Sequence, residues 1–306
     1  VNILWLPLSL VAGLLQIVRN AAQRGLSDEA GPWGATLVRF LFGLPFALIF
    51  LGLVWWFDPP VAFGFSMTVA IMLPVGAMAQ VCATASLMAS MRASSFALGS
   101  TFQHMSLPLA ALFGAIFLGD QLSVWAWVGI VLATLGLLSA SWPSGGLAAG
   151  LKAGAGAFQA GFFGLVSGAC FAVSANAYRV SGLELDPASP FFSSTLTLVL
   201  AQTLQSVVLG SILFVVDRRA LNALFGDLRA SLLAGFTGAA ASACWFAALT
   251  LAPAALVRAV NALVEAPAST LMGWLKFKER LNARGIIGLT LIVTGVLLVI
   301  RATMTV

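Results

Sequence analysis

Charge is what this sequence has least of: Asp, Glu, Lys and Arg together make up 8% of its 306 residues. A soluble domain carries about a quarter charged residues, so this chain cannot cover a water-facing surface. Histidine and tyrosine occur once each, as His104 and Tyr178. One histidine leaves no second imidazole to complete a dyad, and there is no GxSxG, HExxH or GxxxxGK motif. Enzymatic readings therefore fare poorly, and without a nucleotide motif any transport must draw on a proton gradient, exchange or downhill flow. The three cysteines, Cys82, Cys170 and Cys244, are dispersed in apolar runs with no CxxC pair, which reads as small core hydrophobes rather than a disulfide or metal site. No cofactor is expected. No cleavable leader is evident either, because the first apolar run lacks a basic stretch before it and many more runs follow.

What the chain has instead is apolar length, with 60% hydrophobic residues and a mean hydropathy of +1.03. Breaking it at charges, Pro/Gly clusters and turn residues gives ten runs, 3–20, 34–57, 62–90, 94–118, 122–142, 157–179, 190–216, 230–250, 253–275 and 283–302. Each is near or above the ~20 residues that a helix needs to cross ~30 Å of hydrocarbon. Backbone groups in lipid must be satisfied within helices, so the expected class is an all-α, multi-pass integral protein of the inner or plasma membrane with ten transmembrane helices. Its basic balance of +5 is spread over short connections rather than gathered on a patch, which points to membrane orientation and not to nucleic acid.

A Gly-rich stretch at 143–156 divides the chain into expected units at 1–142 and 157–306, each with five runs. An offset of 159 residues aligns Pro108 with Pro267, Gly114 with Gly273, Asp120 with Glu279, Leu122 with Leu281, Gly129 with Gly288 and Gly136 with Gly295. Hydrophobicity alone does not place Gly and Pro at one fixed offset, so the halves read as a duplication. Five spans per half is odd, and the second copy must cross in the opposite sense, which is an inverted repeat of the kind that supports alternating access.

These residues carry a resemblance. Leu107–Ser139 and Glu265–Leu298 each have a mid-helix proline, an acidic residue followed by leucine at a hairpin, and paired glycines. The stretch around Arg39 has an arginine-phenylalanine pair in the second span. In this the chain resembles the drug/metabolite transporter superfamily, in its ten-helix EamA-like branch. The resemblance implies export of a small metabolite, an amino acid or similar, through a central cavity; the alternatives are efflux of drugs or lipophilic cations and, from another class, an intramembrane enzyme or lipid-handling protein. A small-molecule substrate, possible protons and membrane lipids are the expected partners, with the chain a monomer or weak dimer.

The polar groups at membrane depth are the candidate site. Arg258, Asn261 and Glu265 are spaced by three and four, which puts a cation, an amide and a carboxylate on one helix face. Glu265 either serves a proton or cationic cargo or forms a static ion pair with Arg258. His104 suits proton coupling or one interhelical hydrogen bond. Arg39 either snorkels to the headgroups or binds cargo, and Gln80, Asn176, Tyr178 and the deep Trp245 are cavity candidates or interhelical glue. Gln202 and Gln205 belong to the same group, while Gln16, Arg19 and Asn20 read more simply as a charged helix end. Trp5, Trp55, Trp56, Trp125, Trp127 and Trp142 at span ends read as interface anchors.

Orientation follows from the 15 Lys and Arg: eleven fall in the odd-numbered connections, which places those connections in the cytoplasm and both chain ends outside it. The EamA-like branch is usually placed the other way. Reporters fused after Trp142 and at Val306 are expected to read cytoplasmic and non-cytoplasmic respectively, and a cytoplasmic reading at Val306 overturns the charge argument.

Overall fold

A computed structural model describes residues 3–93, 105–141, 154–277 and 283–304. Every regular element among them is a helix. In chain order these are α1 (Trp5–Leu41), α2 (Leu44–Phe57), α3 (Met67–Ala93), α4 (Ser106–Phe117), α5 (Val124–Ser141), α6 (Gly154–Leu185), α7 (Pro190–Val216), α8 (Arg218–Gly226), α9 (Leu228–Leu251), α10 (Ala254–Phe277) and α11 (Ala283–Met304). Five segments are long and apolar enough to cross a membrane: Trp5–Phe57, Met67–Ala93, Phe158–Leu185, Pro190–Val216 and Leu228–Leu251, with shorter apolar helices beside them. The protein is thus a multi-helix membrane protein.

Proline and glycine set where the helices bend. At Gly31 the backbone turns left-handed (φ 68°) directly before Pro32, so α1 bends there instead of stopping near residue 20 as the sequence suggested. Gln23 bridges the bend, its Nε2 donating to the Ala35 carbonyl at 2.5 Å. A second interruption at Phe42 and Gly43 separates α1 from α2. This continuity changes the standing of Arg19: it is no helix end but an interior residue, 1% exposed.

Packing pairs the two halves of the sequence. α3 runs along α6, α1 along α9, and α5 along α11. In the last pair, a side-chain carbon at Gly136 would lie 2.6 Å from the Gly288 carbonyl, while Gly129 faces Gly295 just as closely. Only glycine lets two backbones approach so near. The first glycine of one helix meets the second of the other, so α5 and α11 run antiparallel. Aliphatic side chains of α10, including Leu256, Val257 and Val260, anchor the main core with Leu107, Ile130 and Phe246.

The exterior is apolar, and Trp55, Trp56 and Trp125 are exposed on it. Trp5 differs, being buried at 3% exposure, because α1 packs it into the main core. The cysteines are less buried than core residues: Cys82 is exposed and Cys170 and Cys244 are half-buried. The expected 143–156 linker lies largely outside the described residues, and its last three positions belong to α6.

Two carboxylates join connections that are far apart in sequence. Asp58, after α2, accepts the Phe191 and Phe192 amides at 2.9 and 3.2 Å and so caps the start of α7. Asp186, after α6, accepts the Val61 and Ala62 amides at 2.8 and 3.1 Å, and those of Ala188 and Ser189 at 3.1 and 3.2 Å. Burial pushes the Asp186 carboxyl up, but the four N–H groups outweigh it and hold the group below the ordinary carboxylate range. A depressed folded-state value means stability that is complete above about pH 4 and is lost as pH falls through the lower, folded value. Asp186→Asn is therefore expected to lower the thermal midpoint at pH 7, with the gap to the wild type closing below about pH 4 in a pH series of melting curves.

Candidate functional site

A polar cavity lies where α1, α3, α6, α9 and α10 converge, with room for about one water molecule. Arg19, Arg39 and Arg258 line it, together with Gln16, Gln80, Ser242, Phe171 and Trp245. The spacing of Gln16, Arg19, Asn20 and Gln23 puts four polar groups on one stripe of α1, and all four are buried. That stripe is the signal by which Gln16 and Arg19, read from the sequence as a helix end, are recognisable as site residues.

Each arginine is held differently. Arg19 donates through Nε and Nη2 to Asn20 Oδ1, at 3.1 and 2.6 Å. Arg39 does not reach the headgroups; it is 1% exposed and donates to Thr84 Oγ1 on α3 and to Ser242 Oγ on α9, both at 3.2 Å. It thereby ties a helix of the first half to one of the second. Arg258 stacks its guanidinium 4.4 Å from the Trp245 ring and 5.1 Å from the Phe171 ring, and donates to the Phe171 carbonyl at 3.5 Å. Planar guanidinium suits such aromatic faces, which offset part of its lost hydration.

Glu265 supplies the opposite charge. It accepts a 2.5 Å hydrogen bond from Gln16 Nε2 and lies within the electrostatic reach of Arg258 and Arg19. Two residues on, Pro267 has no N–H for the Leu263 carbonyl, so α10 is locally weakened beside the carboxylate. Asn261, one turn before Glu265, is satisfied with its nitrogen donating to the Ser9 carbonyl at 2.6 Å and its oxygen accepting from Trp245 Nε1 at 3.1 Å.

Beyond Gln80 the polar network continues through neutral groups, with Tyr178 still within electrostatic reach of Arg39. Tyr178 Oη donates to Gln80 Oε1 at 3.0 Å, and Gln205 Nε2 donates to Gln80 Oε1 at 2.8 Å and to the Ala77 carbonyl at 3.0 Å. The structure thus gathers Arg39, Gln80, Trp245 and Arg258 at the cavity, with Asn261, Glu265 and Tyr178 one hydrogen bond behind. Asn176 stands apart: its amide donates to the Ala172 and Ala110 carbonyls at 3.0 and 3.3 Å, joining α6 to α4. His104 lies outside the described residues. Among the described residues no cluster of His, Cys, Asp and Glu is arranged to hold a metal ion.

The profile of the EamA-like transporter family matches residues 3–142 and again 159–301. The chain belongs to that family. For this EamA-like chain the match points to a membrane transporter of the drug/metabolite type rather than an enzyme. No curated protein matches it significantly. Among solved structures it is similar to one described only as "Crystal structure of protein", at 15% identity over 95% of each chain with a TM-score of 0.62, a likeness of fold.

The Asn261–Trp245 hydrogen bond joins α10 to α9, and interhelical bonds of this kind contribute about 0.6 kcal/mol. A double-mutant cycle with Asn261→Leu and Trp245→Phe is expected to give a coupling of about that size in unfolding of the EamA-like protein; strict additivity removes the bond from the account.

Proposed function

We propose that the chain is a secondary transporter that moves a small, anionic or zwitterionic metabolite out of the cytoplasm through this cavity. The observation that carries the reading is the convergence of Arg19, Arg39 and Arg258 on one cavity built from helices of both halves, with Glu265 behind Gln16 within electrostatic reach of Arg19 and Arg258. Guanidinium groups pair with carboxylates and phosphates, and groups this deeply buried mark a cargo or ion path in a membrane protein. Three arginines against one glutamate speak against lipophilic-cation efflux, for which Glu265 alone would be the attractive partner.

Ten spans in two inverted halves, 1–142 and 157–306 with a linker at 143–156, suit this function. The segment Trp5–Phe57 would be about 80 Å long as a straight helix, more than two crossings, and it bends at Gly31. The antiparallel contact of α5 with α11, whose glycines correspond across the duplication, supports opposite orientation of the copies. With room for about one water, the cavity takes cargo only once the halves part, which is alternating access. The inner or plasma membrane fits a metabolite exporter driven by a gradient. Glu265 is the group on which proton coupling is placed.

Reconstituted into vesicles, the protein is expected to move carboxylate-bearing solutes in exchange or down a pH gradient and to leave tetraphenylphosphonium behind. Glu265→Gln is expected to reduce gradient-driven uptake at least tenfold while sparing exchange. Preferential movement of the cation reverses the cargo assignment, and uptake in Glu265→Gln equal to the wild type across pH removes the carboxylate from coupling.

A further inference from the structure

The charge at the cavity does not balance. Arg19, Arg39 and Arg258 are 1%, 1% and 5% exposed, and guanidinium stays protonated in proteins. Arg19 lies within electrostatic reach of both other arginines and of Glu265. Glu265 cancels one of the three charges at most. Of the other carboxylates among the described residues, Asp28 and Glu29 are exposed on α1, Asp58 and Asp186 are held by backbone amides, and Asp120 is gripped by Arg179 at 2.6 and 2.7 Å. None of these reaches the cavity lining.

The hydrogen-bonding balance agrees. Each guanidinium offers five N–H groups, yet Arg19 spends two on one Asn20 oxygen, Arg39 two on single hydroxyls, and Arg258 one on a carbonyl at 3.5 Å. Nε of Arg39 and Nε of Arg258 are buried without a partner. Arg258 sits over the Trp245 ring with one hydrogen bond, from Nη2, so forked donors of its guanidinium remain to be met. Buried charges that lack a counter-ion are costly, and a ligand with two negative charges removes both the excess of positive charge and the shortage of acceptors.

From this we infer that the cavity is built for a small organic dianion, a compact dicarboxylate or a phosphate monoester, in preference to a monoanion or zwitterion. This rests on the transporter reading for its purpose and deepens it by fixing the charge of the cargo. The cavity as it stands has room for about one water, so the ligand enters only as the helices part.

The test is binding by the full-length protein in detergent at pH 8 and constant ionic strength, which keeps screening equal across ligands. Succinate is compared with monomethyl succinate and L-alanine, and glycerol phosphate with its methyl diester. At least tenfold tighter binding of the two-charge member in either pair is expected, and the pair that responds identifies carboxylate or phosphate chemistry. Equal binding within both pairs, or tightest binding of alanine, overturns the inference. Arg258→Gln removes one charge and is expected to reduce the two-charge preference below threefold while one-charge ligands still bind; an undiminished preference overturns the role given to Arg258. If that variant fails to fold, the matched pairs on the wild type still decide. Movement is measured separately in vesicles: dianion binding without any movement overturns the transporter reading and leaves this inference standing, while movement of alanine with no charge preference does the reverse.

Discussion

Positive charge held out of water is the constraint on which the centre of this molecule depends. Three guanidinium groups lie near one another with a single carboxylate, and each one taken from water costs several kcal/mol before any partner is counted. The surroundings answer that cost with Asn20, with hydroxyls from α3 and α9, with the Trp245 and Phe171 rings, and with Glu265 behind Gln16. The result is a site whose groups come from at least four helices, so that shifting one helix changes the environment of all three arginines. A chain with so few charges has placed a fifth of its basic residues here, which general solubility does not explain.

Much of the architecture was legible in the sequence because lipid imposes simple rules. Length and hydropathy gave an all-helical membrane chain, and Gly and Pro at a fixed offset gave a duplication that agrees with the twofold family match; the α5–α11 contact gives those glycines a physical purpose, since Gly129 and Gly136 touch the later pair directly. The course of α1 was harder to read. Arg19 and Arg24 look like the end of a span, but only Gly31 with Pro32 turns the backbone, and the polar stripe before it faces protein rather than water. The helix α8 went unread for a different reason: it is short and amphipathic, with Ala220 and Leu224 buried and Arg218 and Arg219 exposed, so a search for apolar runs passes over it.

The site was legible by residue type and less so by arrangement. Arg258, Asn261 and Glu265 share a helix face as their spacing predicted, yet they divide their work: Arg258 turns to aromatic rings, Asn261 to α1 and Trp245, and Glu265 to Gln16. Spacing gives a face, and only packing gives the partners. Asn176 illustrates the opposite outcome, an amide at membrane depth whose hydrogen bonds go to two backbone carbonyls.

The reciprocal hold of Asp58 and Asp186 bears on how the chain is made. Asp58 waits for amides 133 and 134 residues later, and the Val61 and Ala62 amides wait for a carboxylate 125 and 124 residues later. During synthesis this connection is therefore made long before its partners, Asp58 lacking these donors and Val61 and Ala62 lacking this acceptor. Once residues 186–192 are made, Asp186 can hold the connection before α3 and Asp58 can cap the start of α7. The connection after α2 and the start of α7 are in this respect completed together.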